Sequence, residues 1–181
     1  VWRGKNWKNG TIMEKIIRNY LEIKSIEELK AQKKPDDRYT IQKVFPNDFQ
    51  LNKFFYKQVG RDYHWNDRLA WNDKKWTDYV SNPNVFTFVL KENEDIAGFF
   101  ELIYHKEKFE MEIAYLGLLN NYMTKKLGGY ILTEAIKISF SYKINRVWVH
   151  TCSLDHKNAL KNYISRGMSI YNTEKISIKS A

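Results

Sequence analysis

Two adjacent glycines, Gly128 and Gly129, stand between a predicted strand and a run of apolar residues at helical spacing. The run places Ile131, Ala135 and Ile138 on one side of a helix, as expected for a helix packed on a sheet. Such a helix start exposes backbone N–H groups with partial positive charge, which can bind a phosphate. The glycines would equally permit close packing of helix on sheet, so both interpretations are open.

The rest of the chain predicts an α/β fold with a mixed sheet. A polar turn at residues 93–95 between two strands indicates a hairpin. The helical segment predicted over residues 47–60 has Asn47 or Asp48 as its cap and Gly60 at its end. In chain order the predicted elements are a strand at 19–25, a helical turn at 25–32 capped by Ser25, a strand at 38–45, helices at 47–60 and, in two pieces, 62–80, strands at 85–92, 96–106 and 108–119, a helix from 128, a strand at 145–152, a helix at 156–167 and one or two strands after it.

Residues 1–37 are interpreted as an N-terminal extension and residues 38–181 as one compact domain. The polar stretch at residues 33–37 separates the two parts, and residues 1–12 precede the first methionine and are set aside. No apolar run approaches 18 residues, which argues against a membrane-spanning helix. The single cysteine, Cys152, cannot form an internal disulfide, and no signal-peptide pattern is present, so we expect a cytoplasmic protein.

The formal net charge of +9 raises the question of nucleic-acid binding. The lysines are spread along the chain instead of forming one patch, which makes nucleic acid an unlikely main partner. A generally basic surface would instead help to attract a polyanionic cofactor.

Two segments resemble the GNAT superfamily of N-acetyltransferases, and in particular a bacterial subgroup of it. The first is EIAYLGLLNNYMTKKLGGYILTEAI, which is similar to a strand, the acetyl-CoA loop Q/R-x-x-G-x-G/A and a helix. Met123 stands at the Q/R position, Lys126 at the first glycine position and Gly128 at the second. The second is HKNALKNYISRGM, in which Ala159, Tyr163 and Gly167 match the pattern N-x-x-A-x-x-x-Y-x-x-x-G-F. The resemblance implies a GNAT (acyl-CoA N-acyltransferase) fold with a mixed central sheet flanked by helices.

The resemblance also implies acetyl-CoA (CoA) as co-substrate, held mostly through the backbone. Leu116 would offer its N–H to the thioester carbonyl, and Leu118 would pair with the pantetheine arm. Lys125 and Lys126 could add charge toward a phosphate. The residues expected to contact the cofactor are Leu116, Leu118, Thr124, Lys125, Lys126, Leu127, Gly128, Gly129 and His156.

For catalysis, the resemblance gives Tyr163 the role of donating a proton to the CoA sulfur. Glu112 stands where some members hold the base that accepts the amine proton. Strand alternation places Glu110, Glu112 and Ala114 on one face and Met111, Ile113 and Tyr115 on the other. Glu101 on the neighbouring strand is a rival base. Tyr163 could instead be a core aromatic, and Glu110 and Glu112 could form a solvated face.

The resemblance implies that the aromatic region before the hairpin walls the acceptor site, although its residues could equally belong to the core. Aromatic rings can clamp a cationic group, and an arginine can pair with a carboxylate. The residues assigned to the substrate are Trp65, Arg68, Trp71 and Glu101. No metal site is expected, because His150, Cys152 and His156 lack the spacing of a ligand motif.

The sequence thus predicts an acetyl-CoA-dependent N-acetyltransferase acting on a small-molecule or peptide amine by direct attack in a ternary complex. A non-catalytic acyl-CoA sensor or interaction module is the alternative, since two loop positions depart from the motif. Neither a metal nor a membrane is expected as a partner, and a homodimer is a possible assembly.

Overall fold

The computed structural model describes residues 6–8 and 11–179 of the chain, so residues 1–12, the first part of the predicted extension, lie partly outside the described residues. Within them the elements follow in the order β1 Asn6–Lys8, β2 Thr11–Ile23, β3 Tyr39–Lys43, α1 Phe49–Gly60, α2 Asp73–Val80, β4 Val85–Glu92, β5 Asp95–His105, β6 Glu110–Leu118, α3 Gly128–Phe140, β7 Arg146–Cys152, α4 Ala159–Ser165 and β8 Ser169–Lys179. The predicted α/β class is confirmed.

The described strands form one mixed sheet, in the order β1-β2-β7-β6-β5-β4-β3. Strand β8 pairs with the edge of β2 that faces away from β7. The pair β6–β7 is parallel, and the other pairs are antiparallel. The predicted hairpin joins β4 to β5, with Asn93 in the left-handed conformation at φ 54°. The mixed sheet with its parallel pair in the middle confirms the predicted architecture.

Helices cover both faces of the sheet. On one face α3 contributes Ile131, Leu132 and Ile136, all fully buried, to the larger core cluster. On the other face Phe55 of α1 stacks on Phe99 of β5 with ring centroids 4.7 Å apart. The apolar spacing read from the sequence therefore corresponds to real packing, and the predicted α1 cap is Asp48, whose side chain accepts from the N–H of Gln50.

The prediction of two helical pieces over residues 62–80 is wrong for the first piece. Residues 61–63 form a 3-10 turn and α2 begins only at Asp73, capped by Asn72. His64 has φ 58°, a left-handed conformation that ends a helix. The chain turns there because Trp65 folds back onto Gly60, where any Cβ would lie 2.7 Å from the indole.

Strand β2 lies inside the sheet. Its residues 18–22 pair with β7 on one side and with β8 on the other. Leu21 and Ile23 are fully buried in the same cluster as α3. The polar stretch at residues 33–37 therefore follows a strand that is already part of the sheet. Among the described residues no helix has the length and apolar character needed to cross a bilayer.

Candidate functional site

The candidate site begins where the parallel strands β6 and β7 move apart. They pair only at their beginnings, with Glu110 opposite Arg146 and Glu112 opposite Trp148. Beyond that point β6 continues along β5 as far as Leu118, and within the described sheet nothing pairs with its other edge. Backbone N–H and C=O groups on that edge can pair with an extended ligand.

A β-bulge in β6 accompanies this divergence. The register with β5 skips one residue, Ala114. A bulge bends a strand, increases its twist and changes which residues share a face. Met111 and Ile113 lie in the α3 core, whereas the Tyr115 ring packs on Trp65, 4.7 Å away. The prediction that Tyr115 shares a face with Met111 and Ile113 is wrong, because strict alternation does not include the extra residue.

The cleft widens into a cavity of about 710 Å³, a volume typical of small-molecule and cofactor pockets. Its walls come from β6, β7, the turn before α3, α4 with the residues before it, and residues 59–67. The N-terminal part of the chain adds Ile16, Arg18 and Gln32. The cavity thus joins the gap in the sheet to the start of α3.

Most of the residues predicted to hold the cofactor lie on this cavity. The lining includes Leu116, Leu118, Lys126, Gly128, Gly129 and His156. Thr124, Lys125 and Leu127 are not part of it: Leu127 is fully buried in the core, and the Lys125 ammonium pairs with Glu92 at 3.0 Å. The structure brings six of the nine residues together, and their contacts with a cofactor stay predictions.

The turn before α3 keeps the geometry of a glycine loop although one glycine is replaced. Lys126, at the first glycine position of the motif, has φ 58°, a conformation that costs an ordinary residue about 1–2 kcal/mol. Leu127 is the cap residue, and no side chain in the described part of the chain accepts from the first N–H groups of α3. A Cβ on Gly128 would meet only the Asn162 amide, at 3.6 Å, so this helix start remains open to the cavity.

A glycine is needed at position 129 for a different reason. A Cβ there would overlap the Gln32 amide and lie 2.7 Å from Nη1 of Arg166. The side chain of Gln32 crosses the start of α3 at this point, and only a glycine leaves it room. Each glycine thus fits one of the two interpretations. Gly128 faces open space, as a phosphate site requires, and Gly129 permits close packing.

Tyr163 projects from α4 into the cavity wall and is 8% exposed. Burial raises the pKa of its phenol above the ordinary value, and the nearby Asp155 carboxylate adds to this effect. The hydroxyl is therefore protonated at neutral pH, as a proton donor must be.

Glu112 does not line the cavity. It lies in the last paired position of β6 and β7, and its Oε2 is 2.8 Å from Nε2 of His105. His150, two residues beyond on β7, does line the cavity. Desolvation lowers the pKa of His150, the cation of Arg18 lowers it further, and the carboxylate of Glu112 raises it in part. His150 is thus a neutral imidazole on the cavity wall, within electrostatic range of Glu112.

The residues Arg68, Trp71 and Glu101 form an internal cluster next to the cavity. The Glu101 carboxylate is fully buried and accepts from Arg68 Nη1 at 2.9 Å. It also accepts from Asn52 and Tyr79, each at 2.7 Å. Around the guanidinium lie the rings of Tyr79 at 4.1 Å, Tyr115 at 4.3 Å, Trp71 at 4.8 Å, Trp76 at 5.6 Å and Tyr56 at 5.8 Å.

The predicted substrate residues therefore fall into two groups. Trp65 lines the cavity, whereas Arg68, Trp71 and Glu101 lie behind it and satisfy one another. Tyr115 links the groups, because it lines the cavity, packs on Trp65 and contacts the guanidinium. The rigid cluster positions the aromatic wall of the cavity.

Cys152 lines the cavity as a thiol, because burial raises its pKa, with Asp155 contributing. In the described ranges no three His, Cys, Asp or Glu side chains are grouped in a way that could hold a metal ion.

The polar residues of the site that sequence reasoning missed include Arg18, Gln32 and Arg166. The first two lie in the part of the chain interpreted as an extension. One signal was present for Arg18, because the strand pattern continues upstream of residue 19 into Ile16 and Ile17. Nothing in the sequence indicates that Gln32 reaches α3, since that contact spans about a hundred residues.

The model of the Acetyltransferase (GNAT) family matches residues 48–168. A comparison with curated proteins gives no match. Among solved structures, a GCN5-related N-acetyltransferase from Sphaerobacter thermophilus has a TM-score of 0.70 and 12% identity, covering 90% of this chain and 50% of its own. A functionally unknown conserved protein from Staphylococcus epidermidis has a TM-score of 0.63 and 16% identity, covering 92% of this chain and 62% of its own.

A spermidine N-acetyltransferase from Vibrio cholerae, solved with CoA and spermine, has a TM-score of 0.59 and 12% identity, covering 78% of this chain and 95% of its own. At these identities the similarity concerns the fold. The chain spans between half and two thirds of the length of the Sphaerobacter and Staphylococcus proteins.

Proposed function

The chain belongs to the GNAT acetyltransferase family, and on this premise we propose that it transfers an acetyl group from acetyl-CoA to a primary amine. The observation that carries the proposal is the cavity between the diverging strands β6 and β7, which leads to the open start of α3. An extended arm with a phosphate at one end fits a free strand edge that continues into a helix N-terminus.

In the proposed complex the pantetheine arm lies along β6 at Leu116 and Leu118. Of the residues predicted to hold the pyrophosphate, Lys126, Gly128 and Gly129 would contact it, where the N–H groups at the start of α3 favour negative charge. His156 is proposed to contact the arm from the opposite wall. The left-handed backbone of Lys126 supports this arrangement, because it preserves the turn that the missing glycine would make.

The proposed reaction is a direct attack within a ternary complex. The amine nitrogen bonds to the thioester carbon, and the bond from that carbon to sulfur breaks. Tyr163 donates its proton to the departing thiolate; its raised pKa keeps the hydroxyl protonated until that step. The proton lost by the amine passes to a base.

Glu112 remains the proposed base. Because it does not line the cavity, the proton from the amine would reach it through an intermediate group, for which His150 is the candidate. The hydrogen bond between Glu112 and His105 holds the carboxylate in place, and His150 stands at the cavity surface close to it. Glu101 is a weaker candidate, because its carboxylate is buried and already accepts three hydrogen bonds. Parallel Glu112→Gln and His150→Gln variants separate a base at either position from a relay through both.

The acceptor is proposed to be a small-molecule or peptide amine that enters beside Trp65. Structural neighbours include proteins named as a spermidine N-acetyltransferase and an aminoglycoside acetyltransferase, which supports an amine acceptor. The aromatic wall of Trp65 and Tyr115, with the carboxylate of Asp67 on the same cavity, suits a cationic amine.

The first test is binding of acetyl-CoA, CoA and ATP followed by thermal unfolding. Ligand at a hundredfold excess over its dissociation constant stabilises the folded state by about 2.7 kcal/mol, which for a domain of this size raises Tm by roughly 5–11 °C. A shift with acetyl-CoA and CoA but not ATP supports the cofactor site.

Turnover with a panel of amines, with Tyr163→Phe as the comparison, then separates an enzyme from an acyl-CoA sensor. Binding without turnover of any amine would favour the sensor. Absence of binding at millimolar acetyl-CoA would refute both.

A further inference from the structure

A short segment outside the family match reaches the candidate cofactor site. Gln32 lies between the 3-10 turn at residues 26–28 and β3, upstream of residue 48, where the family match begins. Its backbone N–H donates to Thr133 Oγ1 at 3.0 Å, and Thr133 in turn donates to the carbonyl of Gly129 at 2.7 Å. Gln32 is thus attached to the first turn of α3.

The side-chain amide of Gln32 is fixed at both ends. Nε2 donates to the carbonyl of Lys126 at 2.6 Å, and Oε1 accepts from Nη1 of Arg166 at 2.9 Å. A carbonyl on one side and a guanidinium on the other permit a single orientation of the amide. Gln32 therefore connects the left-handed turn before α3 to the end of α4.

The second tie to α4 is through the backbone. The N–H of Lys30 donates to the carbonyl of Arg166 at 3.0 Å. Gly167 has φ 100°, and a Cβ there would clash with the carbonyl of Glu28. Residues 28–32 thus hold the end of α4 at a fixed distance from the start of α3, and the gap between them opens on the cavity.

Arg166 is left with unused hydrogen-bonding capacity. It lines the cavity, its Nε is buried without a partner, and among the described residues no carboxylate forms an ion pair with it. A guanidinium held by a neutral amide keeps its full positive charge for a ligand, and its planar donors match a phosphate.

We propose that Gln32 and Arg166 form a phosphate-binding subsite for the cofactor, with Arg166 contacting a phosphate of CoA and Gln32 acting as the positioning residue. This inference rests on the proposed function. Gln32 binds the Lys126 carbonyl and holds the guanidinium beside Gly129 at the start of α3. The segment before the family match thereby takes part in selecting a phosphorylated ligand.

The test is to measure dissociation constants of CoA, 3′-dephospho-CoA and pantetheine for the wild type, Gln32→Leu and Arg166→Gln, by NMR titration. Gln42→Leu, at an exposed glutamine on β3, is the matched control. Loss of a hydrogen bond to a charged group predicts about 10- to 100-fold weaker binding of CoA. Pantetheine, which lacks the phosphates, should bind all four proteins equally.

A loss shared by CoA and 3′-dephospho-CoA assigns the subsite to the pyrophosphate, and a loss for CoA alone assigns it to the 3′-phosphate. Because each ratio of CoA to pantetheine is measured on one protein, a general loss of stability does not mimic the effect. Unchanged ratios in both Gln32→Leu and Arg166→Gln overturn the inference. A wild type that binds no CoA instead refutes the proposed function.

Discussion

Replacing Arg68 by methionine tests whether the buried cluster supports the cavity wall. The substitution keeps an unbranched apolar stem among the surrounding rings but removes the guanidinium, which is 7% exposed and bonded to the fully buried Glu101. Asn52 and Tyr79 still donate to the carboxylate, yet its charge loses the counterion. Breaking a buried pair in this way costs about 3–5 kcal/mol.

The assay is unfolding in urea and on heating. For a domain of this size the expected loss of 3–5 kcal/mol lowers Tm by roughly 6–20 °C. The control is Lys74→Met, which breaks the exposed ion pair with Asp78, whose side chains are 81% and 63% exposed. Exposed pairs contribute about 0–1 kcal/mol, so the control should stay close to the wild type.

The double variant Arg68→Met/Glu101→Gln decides the mechanism. A neutral amide at position 101 leaves no uncompensated charge, so the double variant should be more stable than Arg68→Met alone. The argument from buried charge fails if Arg68→Met unfolds within 2 °C of the control. It also fails if the loss of stability in the double variant equals the sum of the losses in Arg68→Met and in Glu101→Gln.

Three further outcomes are expected. Tyr163→Phe should lower kcat by about 10²–10⁴-fold with an unchanged dissociation constant for acetyl-CoA; because burial raises the pKa of Tyr163, the wild-type pH–rate profile should show no decline from its ionisation between pH 7 and 9. Lys126→Gly should not lower the free energy of unfolding measured in urea, because it relieves a left-handed residue, whereas the control Lys161→Gly within α4 should lose about 1 kcal/mol. The hydrogen bond from Lys125, with that from Tyr39, lowers the pKa of Glu92, so the stabilisation by this carboxylate is present above pH 4.5 and is lost as the pH falls through the lowered value. The Tm of Glu92→Gln should therefore lie below that of the wild type at pH 7, and the Tm values of the two proteins should converge in acid.

The order of the elements could be read from the sequence because it depends on local spacing. The cap at Asp48, the turn at Asn93 and the helix from Gly128 each follow from residues close in the chain. The bulge at Ala114 could not be read, because one extra residue reverses the faces of a strand without altering its composition. The left-handed His64, which ends the predicted helix, depends on how Trp65 packs.

The site was predictable where it follows a motif, and not where it depends on tertiary contacts. Tyr163, Gly128 and the strand edge at Leu116 come from segments with a recognisable pattern, and all line the cavity. Gln32 enters because residues 28–32 lie across α3 and α4, which no local pattern encodes. The pairing of Arg68 with Glu101 likewise joins a loop to a strand 33 positions away.

The position of β2 between β7 and β8 has a consequence for how the sheet is assembled. The Tyr20 hydroxyl of β2 donates to Glu174 of β8, 154 positions along the chain. The hairpins from β4 to β6 can close through short loops, whereas the pairing of β2 with β7 and β8 must wait until both of those strands exist. Pairing over such separations slows folding, and an apolar strand kept waiting is exposed to association with other chains. Strand β2 is synthesised early and is therefore among the last strands to pair. The folding rate should respond most strongly to contacts that bring β2 and β8 together.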